Sequence, residues 1–175
     1  MMTYEFTLKF AVPDGLEMAS IETRLFESGC DDALIGVGLK GRLALEFCRE
    51  AASAQAAVTS AMADVKRGIP EARLIEAGPD LVGVTDIAEL LAFTRQNMRK
   101  LVQSHLGTFP LPLHEGRAPL WHLAEVLDWF QTHQRRQVDE PLRDVARVSM
   151  QANIARERRR VPLDQVCHFD DALVS

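Results

Sequence analysis

The side chains with the clearest chemical bias lie in the run Thr94-Arg95-Gln96-Asn97-Met98-Arg99-Lys100. Met98, Leu101 and Val102 recur at helical spacing, which predicts a short helix over 95–105 that buries those three and turns Arg95, Gln96, Asn97, Arg99 and Lys100 to solvent. Arginine pairs with guanine through two hydrogen bonds, and asparagine or glutamine does the same with adenine. The first turn of a recognition helix meets base edges, so Arg95, Gln96 and Asn97 are the candidates for reading sequence. Arg99 and Lys100, one turn further on, are candidates for gripping phosphates. Thr94 is suited to cap the helix and stands beside the same surface.

Those residues need a scaffold, and the flanking sequence supplies one. Thr85 is an N-cap type, followed by Ile87, Ala88 and Leu91 on one face of a first short helix, and Ala92-Phe93-Thr94 make a three-residue break before the second. Two short helices joined in this way form a helix-turn-helix arrangement. Downstream, Phe109-Pro110-Leu111-Pro112-Leu113 reads as a proline-stiffened strand and His114-Glu115-Gly116-Arg117 as a tight turn. Ala118 to Trp121 then return before a third helix from Leu123 to about His133.

With its FPLPLHEG and LWHLAEVLDWF segments, this order of elements resembles the small winged-helix domains of the excisionase and MerR-type superfamily, over about fifty residues, 82–133. The resemblance implies duplex-DNA binding, with the second helix in the major groove and the turn at 114–117 as a wing near the backbone or minor groove. It adds His114 and Arg117 to the candidate DNA contacts. Trp121 and Trp129 are expected in the core, pinning the third helix on the first two.

The first eighty residues read as a separate unit. Tyr4, Phe6, Leu8 and Phe10 alternate with polar residues as in a half-buried strand. Leu16 to Ser28 then carries apolar residues at helical spacing and stops at Gly29. Ala33 to Val37 and Arg42 to Phe47 are strands joined by a glycine-bearing hairpin, a second helix capped by Ser53 has Ala56, Ala57, Val58, Ala61, Met62 and Val65 on its apolar face, and Ala72 to Glu76 is a fourth strand. The order β-α-β-β-α-β predicts a ferredoxin-like sandwich over 1–77, with Ala77 to Asp80 as a short linker. This unit is suited to dimerise through its sheet, to hold a small effector or to dock a protein.

Charge is unevenly spread. The net charge of -5 comes from residues 1–80, with thirteen acidic against eight basic side chains, whereas 95–117 has four basic against one acidic. Phosphate binding depends on the local surface, so the overall sign does not exclude DNA. Residues 138–175 are read as a basic helix starting near Leu142 and a mildly acidic tail. The helix is expected to be a solvated charged face, a dimerisation element or a second contact to the DNA backbone.

Other chemistry is poorly supported. Cys30, Cys48 and Cys167 lack CxxC spacing, and His105, His114, His122, His133 and His168 form no HExxH or Cys/His pattern, so neither a disulfide framework nor a metal is expected. Asp31-Asp32 reads as a solvated turn. No nucleophile with its base, phosphate-cradling glycine loop or carboxylate dyad stands at a recognisable spacing, so no enzyme and no cofactor are expected. No apolar run approaches the length of a membrane span, and the alternating start lacks a signal-peptide block, which predicts a cytoplasmic location.

The expectation is therefore an α+β protein: a ferredoxin-like domain, a winged helix-turn-helix and a C-terminal helix, binding duplex DNA as a homodimer in transcription regulation or a related mobile-element role. The rival is an adaptor or antitoxin-like module that binds a protein partner, with the acidic N-terminal unit as its interaction surface.

Overall fold

Alternation in the first strand organises the N-terminal half. In the computed structural model, which describes residues 1–36 and 38–175, β1 (Met2–Ala11) buries Tyr4, Phe6, Leu8 and Phe10 on one face. β3 (Arg42–Ala51) pairs with it antiparallel along its whole length and places Phe47 opposite Phe6, the two rings stacked at 5.1 Å between centroids. β2 (Ala33–Gly36) joins the free side of β3, and β4 (Arg73–Gly78) the free side of β1. The sheet is antiparallel throughout, in the order β2-β3-β1-β4. Val37, the expected end of the second strand, lies outside the described residues.

α1 (Met18–Glu27) contributes Ile21 and Leu25 to this core, and α2 (Ala54–Gly68) contributes Ala54, Ala57, Val58, Ala61 and Val65. Small residues let α2 approach the sheet closely. Its start is capped by Ser53 Oγ, which accepts the Ala56 N–H at 3.1 Å, while the Ala56 side chain is exposed rather than on the apolar face.

The Asp31-Asp32 turn is more than solvated. Asp32 takes both Nε (2.6 Å) and Nη2 (2.9 Å) of the nearly buried Arg49, whose remaining donors reach Ser60, Asp64 and the Gly29 carbonyl. The hydrogen bonds that Arg49 donates to Asp32, outweighing the cost of burial, push the guanidinium's pKa above its ordinary value. Every donor is satisfied, so the cluster is a structural clasp at one end of the sheet.

The second half has its own core. β5 (Leu81–Val82) and β6 (Trp121–His122) form a two-stranded ribbon around α3 (Val84–Leu90), α4 (Arg95–Ser104) and α5 (Leu123–His133). Ile87, Met98, Leu123, Leu127 and Phe130 are fully buried there. Thr85 is not the cap of α3. The helix starts one residue before it, at Val84, after Gly83, whose N–H is taken by the Asp86 carboxylate at 2.7 Å.

α6 (Glu140–Arg158) overturns the expectation of a solvated helix. Capped by Asp139 rather than starting at Leu142, it inserts Val145 into the first core and Ala146 into the second, and buries Ser149 and Asn153 one and two turns on. It packs on α2, β1 and β4 on one side and on α5 on the other. Arg147 sits outside this stripe, exposed and paired to Asp128 at 2.7 Å, whereas Arg143 and Arg156 are half-buried. The Asn153 amide accepts the Ala77 N–H and donates to the Ala77 carbonyl, both at 2.8 Å, and donates to Asp80 at 2.7 Å. Asp80 in turn meets His122 Nδ1 at 2.7 Å. The linker is thus a packed junction. Residues 157–170 and 172–175, with a 3-10 turn at Leu163–Gln165 and α7 (Asp171–Val174), are exposed. No helix is long and apolar enough to cross a membrane among the described residues.

Replacing Asn153 by alanine leaves the buried Ala77 N–H and carbonyl unsatisfied and removes one of the two side-chain partners of Asp80, and is expected to cost roughly 2 to 4 kcal/mol. Both tryptophans, Trp121 and Trp129, lie in the second core. Urea unfolding followed by tryptophan emission and by far-UV circular dichroism should coincide for the native chain and separate for Asn153→Ala.

Candidate nucleic-acid interface

α4 is held by few contacts and presents most of its surface. Met98 is fully buried and Val102 nearly so, while Leu101 is half-buried. Thr94 supplies the cap, its Oγ1 accepting the Asn97 N–H at 3.1 Å. Arg95, Gln96, Asn97, Arg99 and Lys100 are all exposed, and so are His114 and Arg117. Among the described residues, no carboxylate pairs with Arg95, Arg99, Lys100 or Arg117. Elsewhere some cations are paired, among them Arg49 with Asp32, Arg67 with Asp64 and Arg147 with Asp128, whereas others such as Arg24, Lys40, Arg42 and Arg73 form no ion pair among the described residues. The charges on α4 therefore remain available to an outside anion.

A cleft of about 620 Å³ separates α4 from the segment between Phe109 and Trp121. Arg95, Arg99 and Gln103, four residues apart on one helical face, line one wall; Glu115, Gly116 and Arg117 line the other, and Gly83 to Asp86 are at its end. Arg95, Arg99 and Arg117 are thus brought together. Gln96, Asn97 and Lys100 lie on the neighbouring outer face of α4, and His114 is at the base of the loop, outside the cleft. Gln103 was missed by sequence reasoning, although extending the spacing of Arg95 and Arg99 by one turn reaches it.

The loop differs from the expected strand and turn. Residues 109–113 form no strand, and the 114–120 segment is closed by a single bridge in which Leu120 N–H donates to the His114 carbonyl at 3.0 Å and Leu113 N–H to the Leu120 carbonyl at 2.7 Å. Pro110 and Pro112 have no N–H to donate to a ladder, and Trp121 and His122 pair with Leu81 and Val82 instead. Aromatic packing takes the place of a sheet. Phe109 is buried edge-on against Trp121 (5.7 Å) and Trp129 (5.0 Å), and Trp121 Nε1 donates to the Pro110 carbonyl at 3.0 Å. The loop's position relative to α4 thus depends on the packing of Phe109 together with the hydrogen bond from Trp121 to Pro110.

No family model matches the chain, and no significant match is found among curated proteins or solved structures. No group of three or more His, Cys, Asp or Glu side chains is arranged to hold a metal ion among the described residues.

Phe109→Ala removes this anchor and is expected to destabilise the second core by about 3 to 5 kcal/mol. Acrylamide quenching of tryptophan emission should rise in the variant, because Trp121 and Trp129 lose the ring that covers them.

Proposed function

We propose that this protein binds duplex DNA sequence-specifically, as a homodimeric transcriptional regulator or in a related mobile-element role. On this reading, residues 82–133 are a winged helix-turn-helix of the excisionase and MerR-type superfamily. The observation that carries the proposal is the set of free cations around one cleft: Arg95 and Arg99 on α4 face Arg117 on the loop, with Lys100 alongside. α4 enters the major groove, with Arg95, Gln96 and Asn97 toward base edges and Arg99 and Lys100 toward phosphates. The 114–117 loop is the wing, bringing Arg117 and His114 to the backbone or minor groove.

The N-terminal unit is read as a ferredoxin-like sandwich, supported by the strand order β2-β3-β1-β4 and by two helices packed with its buried face. One recognition helix covers only three or four base pairs, so two copies on half-sites about 34 Å apart give the discrimination a regulator needs. A cytoplasmic location follows from this role.

Fluorescence-anisotropy titration of duplex DNA at several salt concentrations tests the reading. Native protein should bind with a steep salt dependence, and an Arg95/Arg99/Lys100→Ala triple variant should lose about two to three from the slope of log K against log salt. Asn97→Ala should instead relax sequence preference, by about 1 to 3 kcal/mol of discrimination. Unaltered binding by the triple variant would exclude α4 as the DNA-contacting helix, and a stoichiometric protein partner that survives nuclease treatment would then favour the adaptor role.

A further inference from the structure

The cleft beside α4 contains more than phosphate chemistry needs. Leu106 and Leu111 line it and are 72% and 84% exposed, although a cleft built only for a sugar-phosphate backbone has no use for two leucines on its walls. Residues 161–175 show the complementary excess. Leu163, Phe169, Leu173 and Val174 are between 68% and 94% exposed, and the segment contains three aspartates and neither lysine nor arginine. Leu163, Val166, Phe169 and Leu173 recur every three or four residues, so they form one apolar stripe when the segment is helical. An acidic amphipathic segment matches a partly apolar groove whose three arginines, Arg95, Arg99 and Arg117, outnumber its two carboxylates, Asp86 and Glu115.

The fold brings the two together. Arg143 meets Gln131, Arg147 meets Asp128, and Asn153 meets Asp80 beside His122, so α6 runs antiparallel to α5 and its C-terminal end arrives where α5 begins. Trp121, the residue before His122, lines the cleft. From Asn153 the helix continues only to Arg158, about 8 Å. The fifteen residues 161–175 then span up to about 50 Å when extended, several times the roughly 15 Å length of α4, which forms one wall of the cleft.

We infer that residues 161–175 fold back over the cleft between α4 and the 109–119 loop of the same chain, seating Phe169 and Leu173 against Leu106 and Leu111 and their aspartates near Arg95, Arg99 and Arg117. Docked there, the segment competes with DNA for the recognition face. The contact itself is independent of the DNA-binding reading, and only its regulatory consequence rests on that reading. A segment that closes the cleft nine-tenths of the time weakens DNA binding about tenfold.

Cys167 stands within the segment and is exposed, Cys30 is buried, and a Cys48→Ser background leaves Cys167 as the single reactive thiol. A nitroxide on Cys167 of the full chain should broaden the amide resonances of Arg95, Arg99 and Leu111, and Phe169→Ala/Leu173→Ala should abolish the broadening. The same double variant should bind random-sequence duplex DNA about three- to tenfold more tightly. Unbroadened cleft resonances would overturn the proposal. So would broadening confined to mixtures of a spin-labelled chain with an isotope-labelled one, which would assign the segment to a second copy. Broadening in a protein that binds no duplex DNA at low salt keeps the docking and discards the DNA reading, broadening with DNA binding that the double variant leaves unchanged discards the competition, and steeply salt-dependent DNA binding without broadening discards the docking alone.

Discussion

The side-chain amide of Asn153 connects the two halves of the molecule. It imitates a strand residue toward Ala77, giving and taking one hydrogen bond there, and its second donor holds Asp80, which holds His122 at the start of α5. These groups are buried, so each has the others as its partners in place of water, and losing one strands the rest. Hydrophobic contact would let α6 slide against its neighbours. The directional bonds fix its register, and with it the orientation of α5, β6 and α4 relative to the sheet.

Within that frame, the second half divides its residues sharply between anchoring and display. α4 is attached by Met98 and Val102, the loop opposite by Phe109, and both attachments converge on the aromatic and aliphatic side chains of α5. Little else in either element is buried. Two sparsely anchored walls can thus carry a dense set of free cations, because the apolar contacts that fix them lie behind the surface they present.

Periodic features were legible in the sequence. The alternation in β1, the small-residue face of α2, the caps at Ser53 and Thr94, and the buried stripe under α4 all follow from local spacing. What was not legible depended on distant partners. The 109–113 segment looked like a strand because it is extended and proline-rich, yet its neighbour Trp121 takes a partner thirty-nine residues away in Val82. α6 looked solvated because its arginines dominate the composition, while Val145, Ala146, Ser149 and Asn153 are modest residues whose importance lies in what they touch. The cleft itself, with Arg95, Arg99 and Arg117 on facing walls, combines helical spacing that a sequence shows with a loop placement that it does not.

The hydrogen bonds from Asn153 to Ala77 also bear on assembly. A sheet ordinarily ends in two strands whose outward N–H and C=O groups invite another chain. Here α6 packs on β4, with Asn153 taking the outward groups of Ala77, and among the described residues the four-residue β2 is the other end of the four-stranded sheet. Association through this sheet is therefore directed to the β2 edge, because the side chain that joins the two cores also blocks β4 at Ala77.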